Sequence, residues 1–401
     1  MFKQNTHDLA IFGGPPIFQQ ALHVGRPNIG NREKLLARIN DMLDRRWLTN
    51  NGPFVLELEQ KLAEFLRVKH CISICNATVA LEIASRALGL KGEVIIPSFT
   101  FIATAHALQW QEITPVFCDV DPLTHNIDPA KIENLITPRT TGILGVHVWG
   151  RACDIPQLTA MAEKHHLKLL FDAAHALGCT YHGRRLGSFG DAEVFSFHAT
   201  KFFNSFEGGA ITTNNDALAD TIRSMRNFGF AGLDNVTSIG INGKMSEISA
   251  AMGLTSLESF DVFVETNRKN YQAYAHGLAA LPGIRLIDYD HQEKNNYQYV
   301  VIECDEKTAG LSRDVLVKIL HAENILARRY FYPGCHQMEP YRSYFPNAGL
   351  VLPVTEKLTQ LVLQLPTGTA LQVNEIEKIC ELIRFACEQA PAIRAQLETR
   401  A

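Results

Sequence analysis

Several things are missing from this chain, and each absence removes a class of function. No apolar run in the 401 residues approaches the roughly 20 residues of a membrane-spanning helix. No basic excess exists: 38 Lys and Arg stand against 42 Asp and Glu, a net charge of -4, so a nucleic-acid or anionic-membrane footprint is absent. The nine cysteines are scattered and odd in number, and the close pair Cys71 and Cys75 has no second pair to complete a zinc site. Buried free thiols in a reducing compartment are therefore expected. The stretch Met1 to Asp8 is polar and lacks the hydrophobic segment of a signal peptide, so the expected location is cytoplasmic. Internal repeats and low-complexity linkers are also lacking.

What is present is ordinary globular composition, 46% hydrophobic and 20% charged, at a length suited to two domains. Short apolar runs alternate with helical patterns through the first two-thirds of the chain. Strands are expected at 70–75, 93–97, 115–120, 142–146, 168–172, 193–197 and 210–213. Helices are expected at 32–45, 78–88, 104–110, 155–166 and 246–260. Such alternation predicts an α/β fold with a mostly parallel central sheet covered on both faces. Segments 297–304, 313–322 and 373–390 predict a smaller C-terminal α+β domain. The expected division is an N-terminal segment 1–54, a large domain 55–258 and a small domain 259–401.

In open α/β sheets, chemistry gathers at the carboxyl ends of the strands, and four such ends carry suitable residues. The run Val194 to Phe197 leads through His198 and Thr200 to Lys201, followed by Gly208 and Gly209. A lysine in dry surroundings behind a rigid strand loses its proton near neutrality and can form a Schiff base with an aldehyde. The strand at 168–171 ends in Asp172-Ala173-Ala174-His175; a buried carboxylate there needs a partner such as a protonated pyridine nitrogen. Asn76-Ala77-Thr78-Val79 opens a helix whose free N–H groups suit a phosphate, and Ser196 adds a hydroxyl. Phe101, after Ser98-Phe99-Thr100, suits stacking on a flat ring. Each feature also has a plain structural role: a solvated lysine, a turn-capping Asp, an ordinary helix cap by Thr78, a core phenylalanine.

The order phosphate turn, aromatic, Asp and Lys is that of a fold-type-I pyridoxal phosphate enzyme. With Gly52-Pro53, His147-Val148-Trp149-Gly150, Asp154, Glu207-Gly208-Gly209, Arg226-Asn227, Gly229 and Met245-Ser246-Glu247, the chain resembles the DegT/DnrJ family of nucleotide-sugar aminotransferases over nearly its whole length. The resemblance implies a cofactor, pyridoxal 5'-phosphate, bonded to Lys201 and held at its ring nitrogen by Asp172. It implies Phe101 stacking on the ring, His175 near the phenolic oxygen, and Ala77, Thr78, Val79 and Ser196 at the phosphate. Asn227 would reach the cofactor of a neighbouring subunit in a homodimer with shared sites. The implied reaction moves an amino group from L-glutamate to a nucleotide-linked keto sugar. The Arg328 to His336 stretch looks most like members acting at carbon 4 of a dTDP-linked 4-keto-6-deoxyhexose.

Lys244, Arg328, Tyr330 and His336 are the expected substrate-binding residues. Three positions depart from the family pattern. Ala77 replaces a usual glycine, Asn242-Gly243-Lys244 stands where Asn-Tyr-Arg is common, and Phe202 to Phe206 is bulkier than the usual loop. Carbon-3 amination of a 3-keto sugar and a non-catalytic regulatory module are the competing readings. Relatives that dehydrate sugars resemble this family with His in place of the lysine, and Lys201 stands against that reading.

Overall fold

The computed structural model describes residues 3–400; Met1 and Phe2 of the polar N-terminal stretch, and Ala401, lie outside the described residues. Its centre is a seven-stranded sheet of β1 (His70–Ile74), β2 (Glu93–Pro97), β3 (Thr114–Cys118), β4 (Thr140–Val146), β5 (Lys168–Asp172), β6 (Ala192–Ser196) and β7 (Gly209–Thr213). The order across it is β1-β7-β6-β5-β4-β2-β3. Only β7 runs antiparallel to its neighbours; the other pairings are parallel. This is the mostly parallel α/β sheet that the alternating pattern predicts, with boundaries shifted by a residue or two. The strands are apolar almost throughout because helices cover both faces; β5 is exposed only at Lys168.

Register gathers the chemistry at one edge. Asp172 pairs with Val194, Ser196 with Gly209, and Gly209 with Ile74. Asp172, Ser196 and the turn after Ile74 therefore emerge together, at the carboxyl ends of the parallel strands. Gly209 is required there by space, because a Cβ would lie 2.9 Å from the Ala77 nitrogen and 2.8 Å from the Phe195 oxygen.

Helices α1 (Arg32–Arg45), α2 (Pro53–Leu66), α3 (Ala77–Ala87), α4 (Ile102–Gln109), α5 (Ile155–His165), α6 (Asp216–Arg226) and α7 (Glu247–Glu258) surround this sheet. Helix α2 begins at Gly52-Pro53 without a capping side chain of its own. Glu247, at the start of α7 and 1% exposed, supplies the acceptors: its carboxylate receives the N–H groups of Phe54 at 3.0 Å and Val55 at 2.8 Å. Gly52 leaves the room, since a Cβ there would sit 2.4 Å from the Glu247 Cδ. Two motifs far apart in sequence are thus one joint.

Beyond α8 (Phe260–Gly277), an antiparallel sheet of β8 (Ile284–Leu286), β9 (Val300–Cys304) and β10 (Val362–Leu365) packs with α9 (Arg313–Ala322) and α10 (Val373–Glu388). Leu9, Phe12, Phe18 and Leu22 join that same apolar core. Buried Glu323 pins this strap by accepting from Ala10 N at 2.8 Å and Ile17 N at 2.7 Å and by pairing with Lys3 at 3.0 Å. The nine cysteines are free thiols, seven of them buried, and no helix among the described residues is long and apolar enough to cross a membrane.

Replacing Glu247 by Ala strips the acceptors from two buried N–H donors, and the expected cost is about 2–4 kcal/mol. Glu247→Gln, which keeps one acceptor oxygen, is expected to lose less. The urea midpoints of the two variants, followed by circular dichroism, check the ranking.

Candidate active site

A cavity of about 640 Å³ opens at the carboxyl edge of the large sheet. Ala77, Thr78, Val79, Phe101, Asp172, His175, Ser196, Lys201, Arg328 and Tyr330 all line it. Ten of the thirteen residues singled out in the sequence thus converge on one space, most of them delivered by strand ends and helix starts.

One wall is the N-terminus of α3. Asn76 is its cap, in extended conformation, and its side chain accepts from Val79 N at 2.9 Å. The N–H groups of Ala77 and Thr78 have no acceptor within the helix, so the helix dipole and two donors face the cavity. Ala77 is the first helical residue, in a conformation open to any L residue, which explains how alanine is accommodated where the family has glycine. Ser196 stands beside this wall with its Oγ 3.4 Å from His198 N.

Asp172 forms the floor and is 6% exposed. Its carboxylate accepts from the Thr104 hydroxyl at 2.9 Å and from Ala174 N at 3.1 Å. No ion pair among those of the described residues includes it. Burial raises its pKa, against those two hydrogen bonds and the nearby Lys201 charge. Opposite, Lys201 is half-buried on a turn closed by its own N–H to His198 O at 2.8 Å. Burial lowers its amine pKa to about 8, with Asp172 opposing. The Nζ donates to the Tyr299 hydroxyl at 2.9 Å.

His175 is 6% exposed and stacks with Phe331 at 6.0 Å and 8°. Its Nδ1 accepts the Trp149 N–H at 3.2 Å. Burial, then the Lys201 charge, hold its pKa well below the usual histidine value, so the ring is neutral. Phe101 is half exposed as the residue capping α4, and it lines the cavity.

Three expected residues lie elsewhere. Asn227, at the end of α6, accepts from Lys244 Nζ at 3.1 Å, and Lys244 also sits 4.5 Å over the Phe228 ring; this pair is outside the cavity. His336 is buried, bonded through Nδ1 to Ser98 Oγ at 2.7 Å and through Nε2 to Glu356 at 2.7 Å. It supports the Ser98 to Phe101 turn rather than the cavity wall. Phe202 and Phe203 of the bulky loop turn into the core, against Phe260 at 5.3 Å and Phe197 at 4.9 Å. Two residues escaped sequence reasoning. Tyr299 sits in the strand pattern 297–304 with nothing to separate it from a core tyrosine, and Thr104 is one of several helix threonines.

Comparison with known proteins agrees over nearly the whole chain. The profile of the DegT/DnrJ/EryC1/StrS aminotransferase family matches residues 30–384. A dTDP-4-amino-4,6-dideoxy-D-glucose transaminase of Shigella dysenteriae is 39% identical over 370 residues, covering 91% of this chain and 99% of that protein. A GDP-perosamine synthase of Caulobacter vibrioides is 35% identical, covering 89% and 96%. The crystal structure of DesI, determined in the presence of its TDP-sugar product, is 48% identical, covers 99% of this chain and 100% of its own, and superposes with a TM-score of 0.93. The chain belongs to the DegT/DnrJ/EryC1/StrS aminotransferase family.

Proposed function

We propose that this protein is a pyridoxal phosphate-dependent aminotransferase that carries an amino group from L-glutamate to carbon 4 of a dTDP-linked 4-keto-6-deoxyglucose. The observation that carries the reaction class is the desolvated Lys201 amine facing the unpaired Asp172 carboxylate across one cavity. The substrate assignment rests on the 39% and 48% identities to proteins whose own substrate or product is a dTDP- or TDP-sugar.

The residues present fit the cofactor. The α3 N-terminus and Ser196 offer donors to a phosphate, Phe101 offers a ring face, and Asp172 lacks the cation that a buried carboxylate requires. When bound, the cofactor supplies an aldehyde that takes up the amino group and a ring that absorbs the electrons of the donor's Cα. Asp172 holds the proton at the ring nitrogen, where a charge-assisted hydrogen bond is worth about 1.5–3 kcal/mol. Thr104 and Ala174 orient that carboxylate through one hydrogen bond on each oxygen. With the cofactor bound, Lys201 Nζ would carry a proton between the donor Cα and the cofactor carbon. His175, which lines the cavity, would then face the cofactor's phenolic oxygen. Arg328, 4.8 Å over the Tyr330 ring at the cavity wall, offers a guanidinium for the donor carboxylate or the sugar diphosphate.

A homodimer completes the reading. Asn227 and Lys244 stand outside the single-chain cavity beside exposed apolar side chains, Leu233 at 94% and Ile239 at 72%. A second copy would cover these and receive Asn227 at its cofactor phosphate.

Lys201→Ala is expected to abolish turnover and the borohydride-reducible visible absorption while leaving the circular dichroism spectrum unchanged; residual turnover would sink the assignment. The neutral amine is the nucleophile, so cofactor uptake by the cofactor-free protein should accelerate as pH rises through the lowered pKa. With a pKa of about 8, the neutral fraction is about a tenth at pH 7 and about nine-tenths at pH 9. Stopped-flow absorbance should show a roughly tenfold rise that flattens above pH 9. For the sugar, the aminated enzyme is mixed with a panel of nucleotide keto sugars. Recovery of the original visible spectrum is expected fastest with the dTDP-4-keto-6-deoxy sugar; faster recovery with a 3-keto or GDP-linked sugar would reassign the substrate.

A further inference from the structure

The turn His147 to Gly150 is prominent in the sequence, yet Trp149 lines no part of the catalytic cavity. Trp149 is 1% exposed and adopts a left-handed backbone, φ 61°, which is costly for a bulky residue and persists only where its surroundings enforce it. We propose that Trp149 is a positioning residue that fixes His175 as the Nε2–H form, so that a hydrogen-bond donor faces the cavity.

Both N–H groups of Trp149 are committed. The backbone N–H donates to His175 Nδ1 at 3.2 Å. A ring nitrogen that accepts carries no proton, so a neutral His175 bears its single proton on Nε2. The indole N–H donates to His125 Nδ1 at 3.1 Å, and His125 Nε2 donates to Glu303 at 2.8 Å. Glu303 is held in turn by Arg285 Nε at 3.1 Å. The chain Arg285, Glu303, His125, Trp149, His175 thus runs from the small sheet to the cavity wall, with every donor and acceptor defined. Two further contacts fix the receiving end. Asn296 Nδ2 donates to the His175 carbonyl at 2.8 Å, and Gly150 leaves room for that carbonyl, which a Cβ would approach to 2.9 Å. The Trp149 ring is clamped against Phe331 at 5.1 Å and 10°.

What His175 donates to rests on the pyridoxal phosphate reading; the tautomer itself does not. The two are tested separately. In the cofactor-free full-length chain, [15N]histidine NMR, with His175 assigned by loss of its signal in His175→Gln, should show an unprotonated Nδ1. Trp149→Phe, which frees the turn from His125, is expected to mix the two tautomers. In the holoenzyme, a donor on the phenolic oxygen withdraws charge from it and weakens its hold on the neighbouring nitrogen's proton. Losing that donor should raise the titration midpoint of the visible absorption band by about one pH unit or more. His125→Leu should reproduce the Trp149→Phe result, and His125→Gln, which retains an acceptor for the indole and a donor for Glu303, should behave as the parent. A protonated Nδ1 in the parent protein, or a Trp149→Phe variant unchanged in both tautomer and midpoint, overturns the proposal. If the chain takes up no pyridoxal phosphate, the cofactor reading fails while the NMR comparison still decides the role of Trp149.

Discussion

A carboxylate without a counter-cation, buried at the end of a strand, is the constraint around which the site is built. Asp172 has a hydroxyl and a backbone N–H but no ion-pair partner, and its cost is reduced only when a cation is brought to it. The same dryness that penalises Asp172 lowers the Lys201 amine toward neutrality and keeps His175 uncharged. One desolvated volume therefore shifts three titrations at once. The large sheet serves this volume by register, bringing Asp172, Ser196 and the Asn76 turn to a common edge.

The arrangement also divides labour between the two sheets. The large sheet contributes Asp172 and leads to Lys201, while the small one sends Tyr299 to Lys201 and Glu303 toward His125. Arg328 and Tyr330 close the cavity from the same side. Residues near the cavity thus come from both sheets, whose apolar side chains, such as Leu170 and Val301, share one core.

Much of this was readable from residues alone, for identifiable reasons. Asp172 and Lys201 were legible because a charge at the end of an apolar strand breaks the local pattern, and Asn76 to Val79 because a cap followed by small residues marks a helix start. Helix 32–45 was legible to the residue, while segment 313–322, read only as part of the small domain, is a helix over those bounds. Tyr299 and Thr104 were not, since an aromatic just before a strand and a threonine in a helix break no rule. His336 looked like a substrate ligand because it follows arginines and aromatics; only the tertiary fold reveals Ser98 and Glu356 as its partners. Ala77 departs from the family's usual glycine, and its position as first helical residue accommodates the Cβ. Asn227 and Lys244 pair with each other outside the cavity, a contact that the local sequence pattern does not mark.

The place of β7 bears on how the chain comes off the ribosome. β1 has no partner in the large sheet other than β7, which separates it from β6. Helix α2, just before β1, receives its cap from Glu247, and that contact spans 193 residues. Until the polypeptide has emerged past both, the first strand and its helix are exposed as an open edge and a bare helix end. Newly made chains must then wait, unpaired, for most of the large sheet to be synthesised. The β1 edge of the large sheet therefore closes late in synthesis, after β2 and β3 are able to pair with each other.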